Sequence, residues 1–447
     1  MTDNGELERK RKLLEHFHKL TRTDRLARVK EFCGLSDDDL RVLSGERALS
    51  LDVAEYLIEN VVGYFPIPLG VATNFSIDGR DVLIPMAVEE TSIVAAASST
   101  AKWVRREGSI RTYVKGNLII GQVQLPNVRN LAHAKRALHE SRGTLIDLAN
   151  ACLPGLVARG GGVRDIAIRE IDRGDGHGGR MLVLHVLCDP CDAMGANLIN
   201  QVCEALKPRV EQLTDERVGL CILSNLVDGK LAVAEVTVRN VDPVLGHGIE
   251  EAALFAKADP YRATTHNKGV LNGIDPILIA TGNDWRAVEA GIHAYASRSG
   301  KYQPVTEWKM ENGDLIGRFE APIAVGTVGG VTRVHPSAKV ALKMMKIEHA
   351  EDLARICAAV GLVQNLGALK ALSTVGIVRG HMQLHAANLA IAAGADAHEI
   401  GPVRQRLTEV LERQKKINLS DARQILEALR HASPDLEHDS KDPAHLH

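Results

Sequence analysis

Between about residues 114 and 225 the chain alternates in an order that few folds satisfy. Strand-like GNLIIGQVQL leads to a long helical stretch, roughly Asn130 to Cys152, and then to GGGVRDIAIREI and RMLVLHVLCD. A helix from about Gly195 to Leu213 and a last strand, VGLCILSN, complete the pattern. Strand–helix–strand–strand–helix–strand is the split βαβ, ferredoxin-like order. The spacing predicts a small domain over 114–225, inserted into a larger mixed domain that 1–113 and 226–376 build together. After 377 the pattern is nearly all helical, up to a polar tail, EHDSKDPAHLH. The expected fold class is therefore α+β: a large α/β domain, a ferredoxin-like insert and a C-terminal helical segment.

Leu13, Leu14, Phe17 and Leu20 recur at helical spacing, Leu26 and Val29 continue that face, and Leu51 to Asn60 reads as a further helix. FPIPLGVATNFSIDGRDVLIPMAV alternates about Asp78-Gly79, a hairpin signal. EETSIVAAASSTAKWVRR then turns helical, with its acids expected in the first turn and its bases in the last. In THNKGVLNGIDPILIATGNDW a solvated loop would account for Lys268, and a strand end for Asp284. The Ala-rich DWRAVEAGIHAYASR follows as a helix.

With 45% hydrophobic residues but only 3% aromatic ones, aliphatic side chains must build the cores. A formal charge of −2 removes any global electrostatic case for nucleic acid or an anionic membrane. No apolar stretch is expected to reach membrane-spanning length, and the charged start MTDNGELERKRKLLEHF is neither a signal peptide nor an anchor. Seven scattered cysteines suit a reducing cytoplasm. Cys188 and Cys191 have C-x-x-C spacing, but no second pair completes a zinc site.

Gly174-Asp175-Gly176-His177-Gly178-Gly179 satisfies G-x-G-x-x-G, yet a strand follows it where a dinucleotide site needs a helix N-terminus. It reads as a hairpin loop. Asp192-Ala193-Met194-Gly195-Ala196-Asn197 does join a strand to a helix, and there Gly195 permits close approach to a phosphate. A tight turn with Asp192 or Asn197 as helix cap explains the same residues. Glu90 reads as an acid at a helix start. His381 and His385 are one helical turn apart, but Met382 and Gln383 break the H-E-x-x-H pattern and no third ligand is evident, so no metal site is expected.

Taken in order, ENVVG (59–63), PMAVEETS (85–92), DAMGAN (192–197), ILSN (222–225), DPYRATTHNKG (259–269), TGNDWRAVEAG (281–291), VGTVGG (325–330) and RGHMQLHAANLA (379–390) form a specific set. It resembles the class II (bacterial, soluble) 3-hydroxy-3-methylglutaryl-CoA (HMG-CoA) reductases, from about Leu13 to Ala395. The resemblance implies reduction of a CoA thioester to mevalonate and free CoA by two hydrides from NADPH or NADH, through a hemithioacetal and an aldehyde. It assigns catalysis to Glu90, Lys268, Asp284 and His381. Lys268 would stabilise the developing oxyanion, a carboxylic acid would donate a proton, and His381, on a closing C-terminal flap, would protonate the departing CoA thiolate.

By the same resemblance Asp192, Met194, Gly195 and Asn197 hold the cofactor, Arg262 contacts CoA, and Ser92, Asn225 and Asn272 are polar substrate positions. Two positions depart from patterns seen in some members. Leu153 stands where an NADH-selecting aspartate would accept from the ribose 2′-OH, which leaves NADPH allowed, and Arg159, just before Gly160, could help hold a phosphate. A CoA-contacting arginine near the N-terminus is replaced by His18, with Lys19 and Arg22 beside it. Family active sites form between subunits, so a homodimer or an assembly of dimers is implied, with ENVVG near the interface. Two other classes make different demands. A catalytically inactive CoA- or nucleotide-binding homologue has no need of all four catalytic residues, and a single-step dehydrogenase calls for a dinucleotide fingerprint that the chain lacks.

Overall fold

The computed structural model describes residues 3–176, 179–374, 386–414 and 416–432. The chain forms two compact units, one of Met1–Glu89 with Ile93–Leu369, the other of Glu90–Ser92 with the chain from Lys370.

In the first unit β1 (Leu69–Ile77) and β2 (Arg80–Ala87) form the expected hairpin, closing at the pair Ile77–Arg80. Asp78 (φ 52°) and Gly79 (φ 79°) both sit in the left-handed region, as a two-residue hairpin turn requires. The second sheet contains β3 (Gly108–Lys115), while β4 (Ile119–Leu125), β5 (Gly162–Asp172), β6 (Arg180–Asp189) and β7 (Cys221–Ser224) make the third. β8 (Leu231–Val238), β9 (Thr306–Glu311) and β10 (Asp314–Pro322) complete the second, in the order β3-β8-β10-β9.

The third sheet has the order β5-β6-β4-β7, all antiparallel, with the helices Leu131–Glu140, Arg142–Ala151 and Ala196–Thr214 between its strands: the ferredoxin-like arrangement. The helix expected as one piece over 130–152 is broken at Ser141. The G-x-G-x-x-G stretch joins the antiparallel strands β5 and β6, so it is a hairpin connection. Lys115 at the end of β3 pairs with Leu231 at the start of β8. The chain therefore leaves the second sheet and returns to it at one place, with β4 to β7 built in between.

Each sheet system has its own apolar core. Val123, Leu138, Leu145, Leu184, Val202 and Leu206 fill one, while Phe75, Ile84, Ala234, Ile274, Phe319 and Val360 belong to the other. The helix Ala350–Leu372 runs through the larger core. Its 23 residues reach membrane-spanning length, contrary to expectation, but Leu353, Cys357, Val360, Leu362 and Leu366 are fully buried inside the protein. It is a core helix, and its apolar run is explained by packing.

Several local expectations fail for identifiable reasons. Leu51–Ala54 is one helical turn, not a helix to Asn60, and Asn60 takes φ 55°, which helix continuation forbids. The early apolar face is split into Asp3–Leu13, a short 3₁₀ turn Phe17–Lys19, and Arg22–Cys33. Glu89 and Glu90 do not lie in a first helical turn. That helix is Ile93–Glu107, and Ser92, with φ 77°, ends the approach to it. In the second unit the helices Ile400–Gln414 and Leu419–Ala432 bury Val403, Leu407, Ala422 and Leu426 against Ala386 and Leu389.

Candidate active site

Lys268 lies neither in a loop nor beside a strand. It sits in the helix Pro260–Ala280, which begins with Asp259 accepting from the Arg262 amide at 3.0 Å and Pro260 in the first turn. Ala263, Val270, Leu271, Ile274, Ile277 and Leu278 recur every three or four residues and face the core. The two residues before Lys268 are polar but buried. The His266 Nε2 is 2.6 Å from the Thr306 hydroxyl, and Asn267 donates to the Gln303 carbonyl (2.9 Å) while accepting from the Val305 amide (3.0 Å). Burial drives the His266 imidazole down to about 3, so it is a neutral packing group. These bonds lock one helix face against β9 and its approach, and they leave Lys268 exposed on another face. Four residues on, Asn272 is half-buried, and Pro276 removes the amide that would close on its carbonyl.

Asp284 opens the next helix, Trp285–Ala296, as its N-cap, accepting from the Ala287 amide at 3.1 Å, with the Arg286 guanidinium 3.6 Å away. Its neighbour Asn283 connects this turn to the rest of the site. The Asn283 Oδ1 accepts from the Gly326 amide at 2.8 Å, and its amide nitrogen donates to the Thr281 hydroxyl at 3.1 Å. The next amide, of Thr327, donates to the Asp192 carbonyl at 2.9 Å. The Asp192 carboxylate accepts from the Ala350 amide (2.9 Å) and meets the His349 Nδ1 (3.3 Å), raising that imidazole above its ordinary range. A continuous set of hydrogen bonds thus fixes the TGND turn, the VGTVGG loop and the DAMGAN loop to one another. Asn283, Thr327 and His349 carry no chemical motif of their own in the sequence.

DAMGAN lies between β6 and the helix Ala196–Thr214. The cap is Gly195, with φ 91°, and neither Asp192 nor Asn197 caps the helix; no side chain bonds its first turn, and no acid stands there. The first-turn N–H groups are therefore available to an anion. A Cβ at Gly195 would stand 2.4 Å from Ile119 Cδ1 and 3.0 Å from Pro190 Cβ, so only glycine makes this turn. The buried Thr327 hydroxyl alongside has no hydrogen-bond partner among the described residues. An uncapped helix start, a glycine turn and an orphan hydroxyl fit the diphosphate of a nicotinamide dinucleotide. Met194, Asn225 and Ala287 line one narrow cavity with Ile119 and Ala324, which brings the DAMGAN loop, the end of the ILSN stretch and the helix behind Asp284 together.

The remaining expected residues are placed as follows. Arg262 is half-buried, pairs with no carboxylate among the described residues, and has its basicity lowered by burial. Glu90 and Ser92 belong to the second compact unit, and the buried Ser92 hydroxyl has no hydrogen-bond partner among the described residues. Asn197 is exposed on the first helical turn. Leu153 is 7% exposed and packs in the ferredoxin-like core, while Arg159 is exposed. Cys188 and Cys191 are both free thiols, and burial pushes the Cys188 thiol up to about 12. His381, and with it His385, lies outside the described residues.

Comparison with known proteins agrees with this arrangement. The model of the hydroxymethylglutaryl-coenzyme A reductase family matches residues 21–386. The 3-hydroxy-3-methylglutaryl-coenzyme A reductase of Archaeoglobus fulgidus is 48% identical over 419 residues, covering 93% of this chain and 94% of its own. A probable reductase of the same name from Borreliella burgdorferi is 31% identical over 381 residues, covering 83% and 85%. A solved Streptococcus pneumoniae 3-hydroxy-3-methylglutaryl-coenzyme A reductase superposes with a TM-score of 0.79 at 38% identity, covering 93% of this chain and 100% of that one. The class II enzyme of Streptococcus pneumoniae bound to NADPH in open conformations gives 0.78 at 38%, covering 81% and 100%. The motifs that first suggested the class II reductases therefore stand on a matching fold over nearly the whole chain, and the protein belongs to the hydroxymethylglutaryl-coenzyme A reductase family.

Proposed function

We propose that this chain catalyses the four-electron interconversion of HMG-CoA with mevalonate and CoA, as an NAD(P)H-dependent reductase of the mevalonate pathway. The observation that carries the reading is the hydrogen-bonded connection from Asn283 through Gly326 and Thr327 to Asp192, which fixes the turn bearing Asp284 to the dinucleotide loop. A protein that only bound CoA or a nucleotide would have no use for Asp284 on a turn fixed to such a loop.

NAD(P)H supplies the two hydrides. Gly195 and the first turn of the Ala196–Thr214 helix receive its diphosphate, with Asp192, Met194 and Asn197 shaping the loop. Lys268 places an ammonium at the carbonyl oxygen as charge grows there in each reduction. Asp284 and Glu90 share the site with it, Glu90 donating the proton that neutralises the alkoxide. His381 protonates the CoA thiolate, and Arg262, Ser92, Asn225 and Asn272 hold CoA and the acyl group. The large domain of 1–113 and 226–376 carries substrate, 114–225 carries the cofactor, and 377–447 is the C-terminal helical flap domain.

The test is turnover by the purified chain. Two equivalents of reduced cofactor are expected to be oxidised per mevalonate formed, and kcat/KM for NADPH should at least match that for NADH, because Leu153 cannot bind a ribose hydroxyl. One equivalent with aldehyde accumulating, or no turnover, would overturn the assignment. An NADH preference above about a hundredfold, ~2.7 kcal/mol, would overturn the cofactor part alone.

The working form is a homodimer or an assembly of dimers. Around ENVVG, Tyr56 (91%), Val62 (103%) and Phe65 (91%) stand open to solvent, an apolar strip that a second copy would cover. Sedimentation should give a dimer or a multiple of it. A monomer fully active at nanomolar dilution would sink the idea. The location proposed is the cytoplasm, where seven unpaired cysteines stay reduced.

A further inference from the structure

The core helix Ala350–Leu372 begins just after His349, at a position where serine, threonine or a short acid usually caps. The His349 amide is satisfied by Asp352 of the same helix, whose carboxylate accepts it at 3.0 Å. Its imidazole meets the DAMGAN loop instead: Nδ1 lies 3.3 Å from the Asp192 Oδ2, across 157 positions of sequence. The other Asp192 oxygen accepts from the Ala350 amide at 2.9 Å. An acid from a distant loop thus caps the positive end of the core helix.

The backbone of that loop is held separately. The Thr327 amide donates to the Asp192 carbonyl at 2.9 Å, and a Cβ at Gly326 would stand 2.6 Å from the Met194 nitrogen. Those backbone groups do not titrate, whereas an imidazole changes charge near neutral pH. The clasp between His349 and Asp192 is therefore the hold that pH can alter. The charged groups facing His349 are all acidic: Asp192 from the loop, and Asp352 and Glu348 from its own segment. The hydrogen bond and charge of Asp192 come first, and they raise the imidazole above its ordinary range. Asp192 also acts on the buried Lys230, just before β8, together with Asp189 and Glu351.

We propose that His349 is a positioning residue for the dinucleotide: protonated, it clasps Asp192 to the start of the core helix and holds the DAMGAN loop in its binding shape. It acts through Asp192 and not on a reacting atom. Rising pH removes the charge and loosens the loop just ahead of the Gly195 turn. Affinity for the dinucleotide then falls, while the chemical step is spared. The inference rests on the proposed role of DAMGAN in holding NAD(P)H.

The experiment measures the Kd of NADPH, by the fluorescence of its reduced nicotinamide, and kcat and KM with HMG-CoA, from about pH 6 to about pH 9. Wild type is compared with His349→Asn, Asp192→Asn and the double variant. Asparagine at this position keeps a neutral donor but cannot take a charge. It is expected to weaken NADPH binding about two- to fivefold at about pH 6, the range of one exposed ion pair, and to match wild type by about pH 9. The kcat should stay within about twofold throughout, because the residue serves binding alone. Reading each variant against wild type at the same pH cancels ionisation of the cofactor's own phosphate. In the Asp192→Asn background, adding His349→Asn should change Kd by less than about 1.5-fold. The Tm of His349→Asn should move by less than about 1 °C, since the side chain is exposed. A histidine-proton titration of the free protein accompanies these measurements. The His349 resonance, identified by its loss in His349→Asn, should titrate above the ordinary range and fall back in Asp192→Asn.

A loss in His349→Asn that is the same at every pH would assign the residue to the fold alone and overturn the proposal. A loss that persists in the Asp192→Asn background would place His349 directly on the cofactor, and would overturn it too. So would an affinity equal to that of wild type at about pH 6, or a His349 resonance indifferent to Asp192→Asn. Failure of the underlying reading looks different: wild type would bind no NADPH at any pH, while the His349 resonance still answered to Asp192→Asn, and the proposal would fall with that reading.

Discussion

Lys268→Ala is expected to lower kcat by about 10²–10³-fold, ~2.7–4 kcal/mol, both with HMG-CoA and with added mevaldehyde. The two half-reactions share one electrostatic problem. Each hydride converts a carbonyl into an oxyanion, and the donor that meets that charge acts more strongly on the transition state than on the bound substrate. Losing it should therefore appear in kcat more than in KM. The fold gives the test a clean background. Lys268 is exposed, while the bonds that anchor its helix belong to His266 and Asn267. Alanine is a strong helix former, so the change in stability should stay within about 0.5 kcal/mol. A loss confined to one of the two substrates would show that Lys268 does not serve both oxyanions.

His381→Gln should behave asymmetrically. A residue that only protonates the CoA thiolate matters after the first hydride transfer and not during the second. Conversion of the thioester should then fall about 10²–10⁴-fold, the range for a lost general acid, while mevaldehyde reduction is largely spared. Steady-state kcat for the two substrates, on protein shown to be folded, checks this. Equal loss on both would remove the thiolate-acid role and leave a general positioning role. Together the two variants distinguish charge stabilisation, needed twice, from leaving-group protonation, needed once.

The ferredoxin-like insert was legible from sequence because its strands and helices differ in period and are separated by clear turn residues. The β1–β2 hairpin was legible for the same reason, through Asp78-Gly79. The helix under Lys268 was not. Its polar run THNK places two buried side chains, His266 and Asn267, where a periodicity count sees solvent-facing ones, and Pro276 lies inside the helix. Their partners, Thr306, Gln303 and Val305, are some forty positions away and invisible to local reasoning. In the site, motif residues such as Gly195 could be named individually, and its φ of 91° follows from a turn that only glycine makes. The residues that join the motifs escaped notice. The Asn283 Oδ1 accepts from the Gly326 amide and the Thr327 amide donates to the Asp192 carbonyl, partners far away in sequence.

The pairing of Lys115 with Leu231 also governs the order in which a nascent chain can fold. β3 leaves the ribosome early but has no neighbour in its sheet until β8 is made, and β10 and β9 come later still. Every strand of the ferredoxin-like sheet, β4 to β7, is synthesised within that wait. The insert can thus condense on contacts of shorter range while the larger sheet remains open, and long-range pairing is the slow event in such topologies. A half-made chain accordingly presents a finished ferredoxin-like module beside an unpaired strand edge. That exposed edge is where premature release would lead to aggregation.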